Sequence, residues 1–201
     1  MSHHIGKRIQ AASQILLLIC VTGCLFARGS QDAPSAPPAF AGFLERVQDY
    51  VRLEKSLEDG LPTLNPTKTP EKISAHQEEL AGRVRQARSQ ARHGDIFTPD
   101  ARRAFRSAIH RGLEDGRHAS QARTTLQHGV PLKSVRLRVN ESYPNGLPVT
   151  TFPPTLLQKL PVLPDGLAYR IVARDLVLLD TKANLVVDYI PDAFPPDAEP
   201  Q

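Results

Sequence analysis

Residues 160–191, LPVLPDGLAYRIVARDLVLLDTKANLVVDYIP, decide the fold. This is the densest apolar run beyond the N-terminus, and its turn signals fall at hairpin spacing. In Pro164-Asp165-Gly166, proline presets φ and glycine tolerates the positive φ of a tight reversal. Strands are expected over 168–173, 176–180 and 185–190. Arg174-Asp175 joins the first two, and 181–184 is a four-residue connection in which Asn184 suits the left-handed conformation. Pro191 stops the last strand. The middle strand is apolar on both faces, as befits a central strand covered on two sides. The pattern predicts a three-stranded antiparallel meander.

Side chains alternate along a strand, so the loop fixes the faces. A two-residue loop at Arg174-Asp175 places Tyr169, Ile171, Leu176, Leu178, Leu185, Val187 and Tyr189 together. Arg170, Val172, Val177, Leu179, Val186, Asp188 and Ile190 then share the other face. The first set is expected to pack on helices, because a three-stranded sheet alone is barely stable. The second is expected to be partly open to solvent, with Arg170 and Asp188 in reach of a cross-sheet ion pair.

Working upstream, helices supply that cover. Phe40, Phe43, Leu44, Val47, Tyr50, Val51 and Leu57 form one stripe over 39–59, ended by Gly60 and Pro62. Thr69-Pro70-Glu71 and Thr98-Pro99-Asp100 each combine a threonine N-cap, proline at the first helical position and an acid at the positive end of the dipole. They open helices over 70–92 (Ile73, Leu80, Val84, Ala87 and Ala91 inward, Gln77 marginal) and 99–115 (Ala101, Phe105, Ala108, Ile109 and Leu113 inward). A fourth helix over 117–128 and a strand over 132–139 complete the expectation. Residues 140–166 form a long proline-rich passage with one helical turn at 154–159. The fold class is therefore α+β: a helical region, 39–129, packed on a β-rich region, 130–192, with disordered flanks at 28–38 and 193–201.

Composition sets bounds. The chain of 201 residues carries 18 prolines and 12 glycines, so several breaks are expected. Aromatics are few and tryptophan is absent, which predicts a modest, aliphatic core. The net charge of +4 permits an anionic partner without requiring one. Both cysteines, Cys20 and Cys24, lie in the N-terminal apolar segment, so the folded part has neither disulfide nor thiolate metal site.

Residues 1–27 read as an export signal: Lys7 and Arg8 precede the apolar run ILLLICV, which is too short to span a bilayer comfortably. Val21-Thr22-Gly23-Cys24 is similar to the lipobox of bacterial lipoproteins, which would make Cys24 the acylated first residue. Cleavage after Ala27 is the alternative. The order of parts over 39–192, with TPEKISAHQEELAGRVRQAR and GDIFTPDARRAFR before the strands, resembles exported bacterial proteins of unknown function. The stretch LAYRIVARDLVLLDTKANLVVDYI resembles the C-terminal meander of the nickel/cobalt-homeostasis periplasmic family. The metal-binding histidines and acids of that family have no matched positions here.

Candidate chemistry is sparse. His76, His93, His110, His118 and His128 include no i, i+4 pair suited to a metal on a helix face. Of Asp175, Asp180, Asp188 and Asp192, three sit in or beside turns, where aspartate serves the backbone. No catalytic constellation or nucleotide fingerprint is present. Between 83 and 123 there are ten arginines against four acids. Arg85, Arg88 and Arg92 share one side of the second helix, either as a solvated face or as a contact for an anionic envelope component. Nucleic acid is disfavoured by export and by the lack of exposed aromatics near the arginines. The expected function is an exported, non-catalytic envelope or periplasmic factor without cofactors, bound to an anionic component or another envelope protein. A periplasmic metal-handling accessory and a degradative envelope enzyme are the alternatives.

Overall fold

The computed structural model describes residues 38–63, 69–114, 136–143 and 152–195, all within the compact unit Pro34–Gln201. In chain order the elements are α1 (Pro38–Glu58), α2 (Pro70–Ala87), α3 (Pro99–Glu114), the single turn α4 (Pro154–Leu157), β1 (Leu167–Val172), β2 (Asp175–Asp180) and β3 (Leu185–Ile190). The strands form one antiparallel sheet in the order β1-β2-β3. The fold is α+β, with helices preceding a meander, as the apolar periodicity requires. Cys24, the expected helix over 117–128 and the tail 196–201 lie outside the described residues.

The helical starts follow their capping chemistry. Thr98 Oγ1 accepts from the Ala101 amide at 3.4 Å, whereas Thr69 stands extended before Pro70 but makes no side-chain cap hydrogen bond, so the start of α2 rests on Pro70 and Glu71. On α1, Phe40, Phe43, Val47 and Tyr50 are buried, while Leu44, Val51 and Leu57 pack at the margin. All five expected inward residues of α3 are buried. Helix α2 departs from expectation: it ends at Ala87 rather than 92, because Arg88 leaves helical geometry to reach internal acceptors. Its inward residues are Leu80, Ala81 and Val84, whereas Ile73 remains 45 % exposed and Ala87 is exposed.

The core is more aromatic than composition suggests. Phe43 stacks on Phe97 at 5.1 Å, and Phe105 meets Phe40, Phe43 and Phe97 edge-on at 4.8–5.1 Å. Tyr169 of β1 joins Phe105 at 5.8 Å, tying the sheet to α3. Few aromatics suffice because they are concentrated, and such pairs add about 0.5–1.5 kcal/mol beyond their buried area.

Leu176 and Leu178 are fully buried in this same cluster, so the middle strand packs on the helical side as expected. The hairpin loop is Ala173-Arg174, one residue earlier than the sequence reading, since Val172 pairs with Asp175 and Ile171 with Leu176. The shift moves register by two residues in all, so the faces survive. Ala173 adopts φ 53 to close this turn, and Asn184 adopts φ 50 in the β2–β3 connection.

Two expectations fail on β3. A bulge shifts the register between Leu178 and Leu179, so that Leu178 pairs with Asp188 but Leu179 with Val186. The extra residue, Val187, stays in the helix-side core, and alternation restarts with Asp188 and Ile190 on that side and Tyr189 opposite. The Arg170–Asp188 ion pair is therefore not formed. Nor is the second face open: Val172, Val177, Leu179 and Val186 are buried with Leu137 and Tyr143. The strand expected over 132–139 is absent from 136–139. The chain instead pairs with the outer edge of β3 just beyond, through Asn140 N to Val186 O, Val186 N to Glu141 O and Tyr143 N to Asn184 O. Finally, Ala193 and Phe194 are buried rather than part of a loose tail, and Phe194 exchanges hydrogen bonds with Arg174.

Candidate functional site

Three of the four aspartates considered for acid–base chemistry are engaged with backbone amides, and the fourth, Asp192, lies 3.2 Å from Arg174. Asp188, with no exposed surface, accepts from Gly94 N at 3.0 Å on Oδ1, and from Ile96 N at 3.0 Å and Phe97 N at 2.8 Å on Oδ2. The bulge exists to this effect: it turns Asp188 inward, where it organises the loop between α2 and α3. Asp180 Oδ1 accepts from Lys182 N and Ala183 N, both at 2.8 Å, closing the β2–β3 turn. Asp175 Oδ1 accepts from Asp192 N at 2.9 Å, and burial raises the Asp175 carboxyl above its ordinary range.

The arginines have a similar use. Arg83 donates to Gly60 O, Arg106 to Pro191 O and Arg174 to Phe194 O. Arg85 donates to Asn140 O at 3.1 Å and to Ser142 Oγ at 2.8 Å. Arg88 donates to Asn140 Oδ1 at 2.8 Å and Val187 O at 3.3 Å, while Asn140 Nδ2 returns a bond to Arg88 O. Its guanidinium also lies 4.9 Å from the centroid of the Tyr50 ring. Burial pulls the Arg88 pKa below its ordinary value, opposed by the neighbouring Tyr50 and Asp188. Four arginines of the arginine-rich, acid-poor run, Arg83, Arg85, Arg88 and Arg106, thus donate to backbone carbonyls, acceptors that leave no trace in the charge count. Of the three arginines singled out from sequence, Arg85 and Arg88 clasp the 140–143 segment to α2, and Arg92 is exposed.

A polar cluster, of which the sequence reading singled out only Asp180, adjoins this clasp at the β2–β3 turn. Tyr50, Glu54 and Glu58 recur every four residues along α1 and meet the β2–β3 turn. Tyr50 Oη donates to Asp180 Oδ2 at 2.5 Å, and burial first, then the Asp180 charge, pushes its pKa far upward, so it remains a phenol. Lys182 Nζ lies 2.6 Å from Glu58 Oε2 and 3.2 Å from Glu54 Oε1. Glu54 is 5 % exposed; its burial raises its pKa despite the lysine, and Oε1 receives no well-directed hydrogen bond. For Lys182, burial acts downward, but the hydrogen bonds to Glu58 and Glu54 together hold the pKa above its ordinary value. The i, i+4, i+8 spacing was the available signal, but Tyr50 reads equally well as core.

Beside this cluster opens a cleft of about 600 Å³. Glu58 and Asp59 from the end of α1, Leu61 and Pro62 after it, Ile73, His76 and Gln77 of α2, and Lys182 of the turn are among its lining. Gln77 Nε2 reaches across to Thr181 O at 3.3 Å. Among the described residues no group of three or more His, Cys, Asp or Glu side chains is placed to hold a metal, and no helix is long and apolar enough to cross a membrane. Comparison with protein-family models, curated proteins and solved structures returns no match to this chain.

Proposed function

We propose that the protein is an exported, non-catalytic factor of the cell envelope that acts by binding. Export rests on the basic, apolar pattern of residues 1–27. The binding reading rests on the way the polar interior is used. Asp175, Asp180 and Asp188 satisfy backbone amides, and Tyr50 and Arg88 join helices to the sheet, so these groups are committed to holding the fold. The cleft beside the β2–β3 turn supplies concavity, an apolar wall and charged rim groups, the ordinary ingredients of a binding site. An anionic envelope component would meet Arg92 rather than Arg85 or Arg88, whose guanidinium groups act within the fold.

Protease accessibility tests the compartment. In intact spheroplasts of a bacterial host making the full chain, added protease should digest the protein or shed it from the membrane surface. Protection until the inner membrane is lysed would overturn the proposal.

A further inference from the structure

We propose that Glu54 is a proton switch in the joint between α1 and the β2–β3 turn. Ionised, it shares Lys182 with Glu58; protonated, it releases that lysine to Glu58 and tightens the seat of the turn on the helix. The inference goes beyond the binding reading and does not depend on where the protein resides.

The joint gathers more carboxylate than it neutralises. Among the described residues, Glu54 and Glu58 of α1 share one ammonium, Lys182, at 3.2 and 2.6 Å, and the Asp180 charge also bears on Glu54. Arg88, at the end of α2, stands over the Tyr50 ring, and its hydrogen bonds go to Asn140 and Val187. Buried carboxylates in excess of their cations favour taking up a proton. Geometry selects which one takes it. Asp180 is held ionised by three donors, Tyr50 Oη and the amides of Lys182 and Ala183. Glu58 has the shorter contact to the ammonium, and its side chain is 33 % exposed to water. Glu54 has neither advantage. Its side chain is 7 % exposed, its contacts to Lys182 are longer, and Oε1 receives no directed hydrogen bond. Burial raises its pKa in keeping with that geometry.

Lys182 carries the charge state of Glu54 to the turn. Its stem crosses Gly166, where φ is 87 and an added Cβ would stand 3.1 Å from Lys182 Cε. Gly166 O accepts from Thr181 N at 2.8 Å, so the lysine spans two turns and α1. Opening the joint wets Glu54 and returns it to the ordinary glutamate range. Where the closed joint holds Glu54 protonated, opening releases the proton, so closure strengthens as pH falls toward the ordinary glutamate value. That strengthening is lost as pH rises through the folded value. Glu58, Thr181 and Lys182 also line the neighbouring cleft, with Asp59 and His76, so the same proton alters the charge behind its wall.

A carbon-detected NMR titration of the full chain, read at the Glu54 side-chain carboxyl, tests this together with amide exchange at Lys182 and Ala183. Glu54 should titrate above the ordinary glutamate range. Lys182→Met should raise the midpoint by about one pH unit or more, the effect of losing an adjacent opposite charge. Glu58→Gln should lower it, by removing a like charge and the competitor for Lys182. Exchange, corrected for intrinsic rates, should slow by up to about tenfold per pH unit between the midpoint and the ordinary glutamate value. It should be faster than at Ile109 in the α3 core, the mark of a local opening. Glu54→Gln should hold the slow rate throughout, and His76→Gln should leave the transition in place. Melting curves confirm folding, and Glu58 and His76 are partly exposed, so the test survives if Lys182→Met unfolds. A Glu54 midpoint within the ordinary range, or one that Glu58→Gln leaves unmoved, overturns the proposal. So does turn exchange that ignores pH, that loses its transition with His76→Gln, or that only matches Ile109. None of these outcomes bears on the protease test of the compartment, and a cytoplasmic location would leave the titration intact.

Discussion

Replacing Asp188 by asparagine changes one heavy atom and should remove a large fraction of the protein's stability. Oδ1 accepts from Gly94 N and Tyr189 N, and Oδ2 from Ile96 N and Phe97 N. Whichever way an asparagine amide is turned, its NH2 group faces two backbone donors. Two charge-assisted hydrogen bonds are lost, each worth roughly 1.5–3 kcal/mol, for a total of about 3–6 kcal/mol. The site is fully buried, so water cannot replace them. Against a whole-domain stability of about 5–15 kcal/mol this is a large fraction. In urea, with a slope of about 1–3 kcal/mol/M, the unfolding midpoint should fall by roughly 2 M at unchanged slope. Hydrogen exchange at Ile96 and Phe97 should accelerate selectively if the variant remains folded. Asp192→Asn, an exposed partner of Arg174, serves as the control and should cost no more than about 1 kcal/mol. A loss below about 1 kcal/mol for Asp188→Asn, with exchange at 96 and 97 unaltered, would refute the view that the bulge serves to bury this carboxylate.

Other substitutions separate the remaining claims. Gly82 has open space around its missing Cβ, so Gly82→Ala should stabilise α2 by about 0.5–1 kcal/mol in a thermal melt; at Gly112 the added carbon would sit 2.5 Å from the buried Leu156, and overpacking of about 1–3 kcal/mol should outweigh the helix gain. Arg88→Met should cost about 2–4 kcal/mol through its lost bonds to Asn140 and Val187, whereas Arg92→Met should stay within about 0.5 kcal/mol by urea titration. Glu54 has a folded-state pKa raised by burial, so folding favours its protonated form; that stabilisation is full below the unfolded glutamate pKa and is lost as pH rises through the folded value. The parent should therefore gain stability relative to Glu54→Gln as pH falls from neutrality through the elevated pKa of Glu54, and a difference independent of pH would contradict the assigned shift.

Much of this architecture is written in short-range pattern. The meander, the first and third helices and the left-handed Asn184 follow from periodicity and turn chemistry, because each depends on residues close in sequence. The bulge at Val187 does not. An aspartate inside an alternating strand reads as solvent-facing, and its inward turn depends on donors at 94–97, some ninety residues away. The same reason hides the roles of Arg85 and Arg88. Guanidinium groups that donate to carbonyls of a distant segment look, in sequence, like unpaired surface charge. Shortening of α2 belongs here too, since Arg88 abandons the helix for tertiary acceptors that local propensity cannot anticipate. The cleft was out of reach because it joins the ends of two helices to a turn more than a hundred residues downstream. Only Ile73, counted as core by its spacing, hinted at it by being one apolar residue too many for the surface that α2 can bury.

The proposed function requires a chain that works outside the cytoplasm, and the intact mass of the mature protein tests that most directly. Protein recovered from the envelope fraction of producing cells should begin at an acylated Cys24, with Cys24→Ala blocking processing or releasing it, or should begin unmodified at Arg28. A cytoplasmic product whose mass runs from Met1 would contradict it.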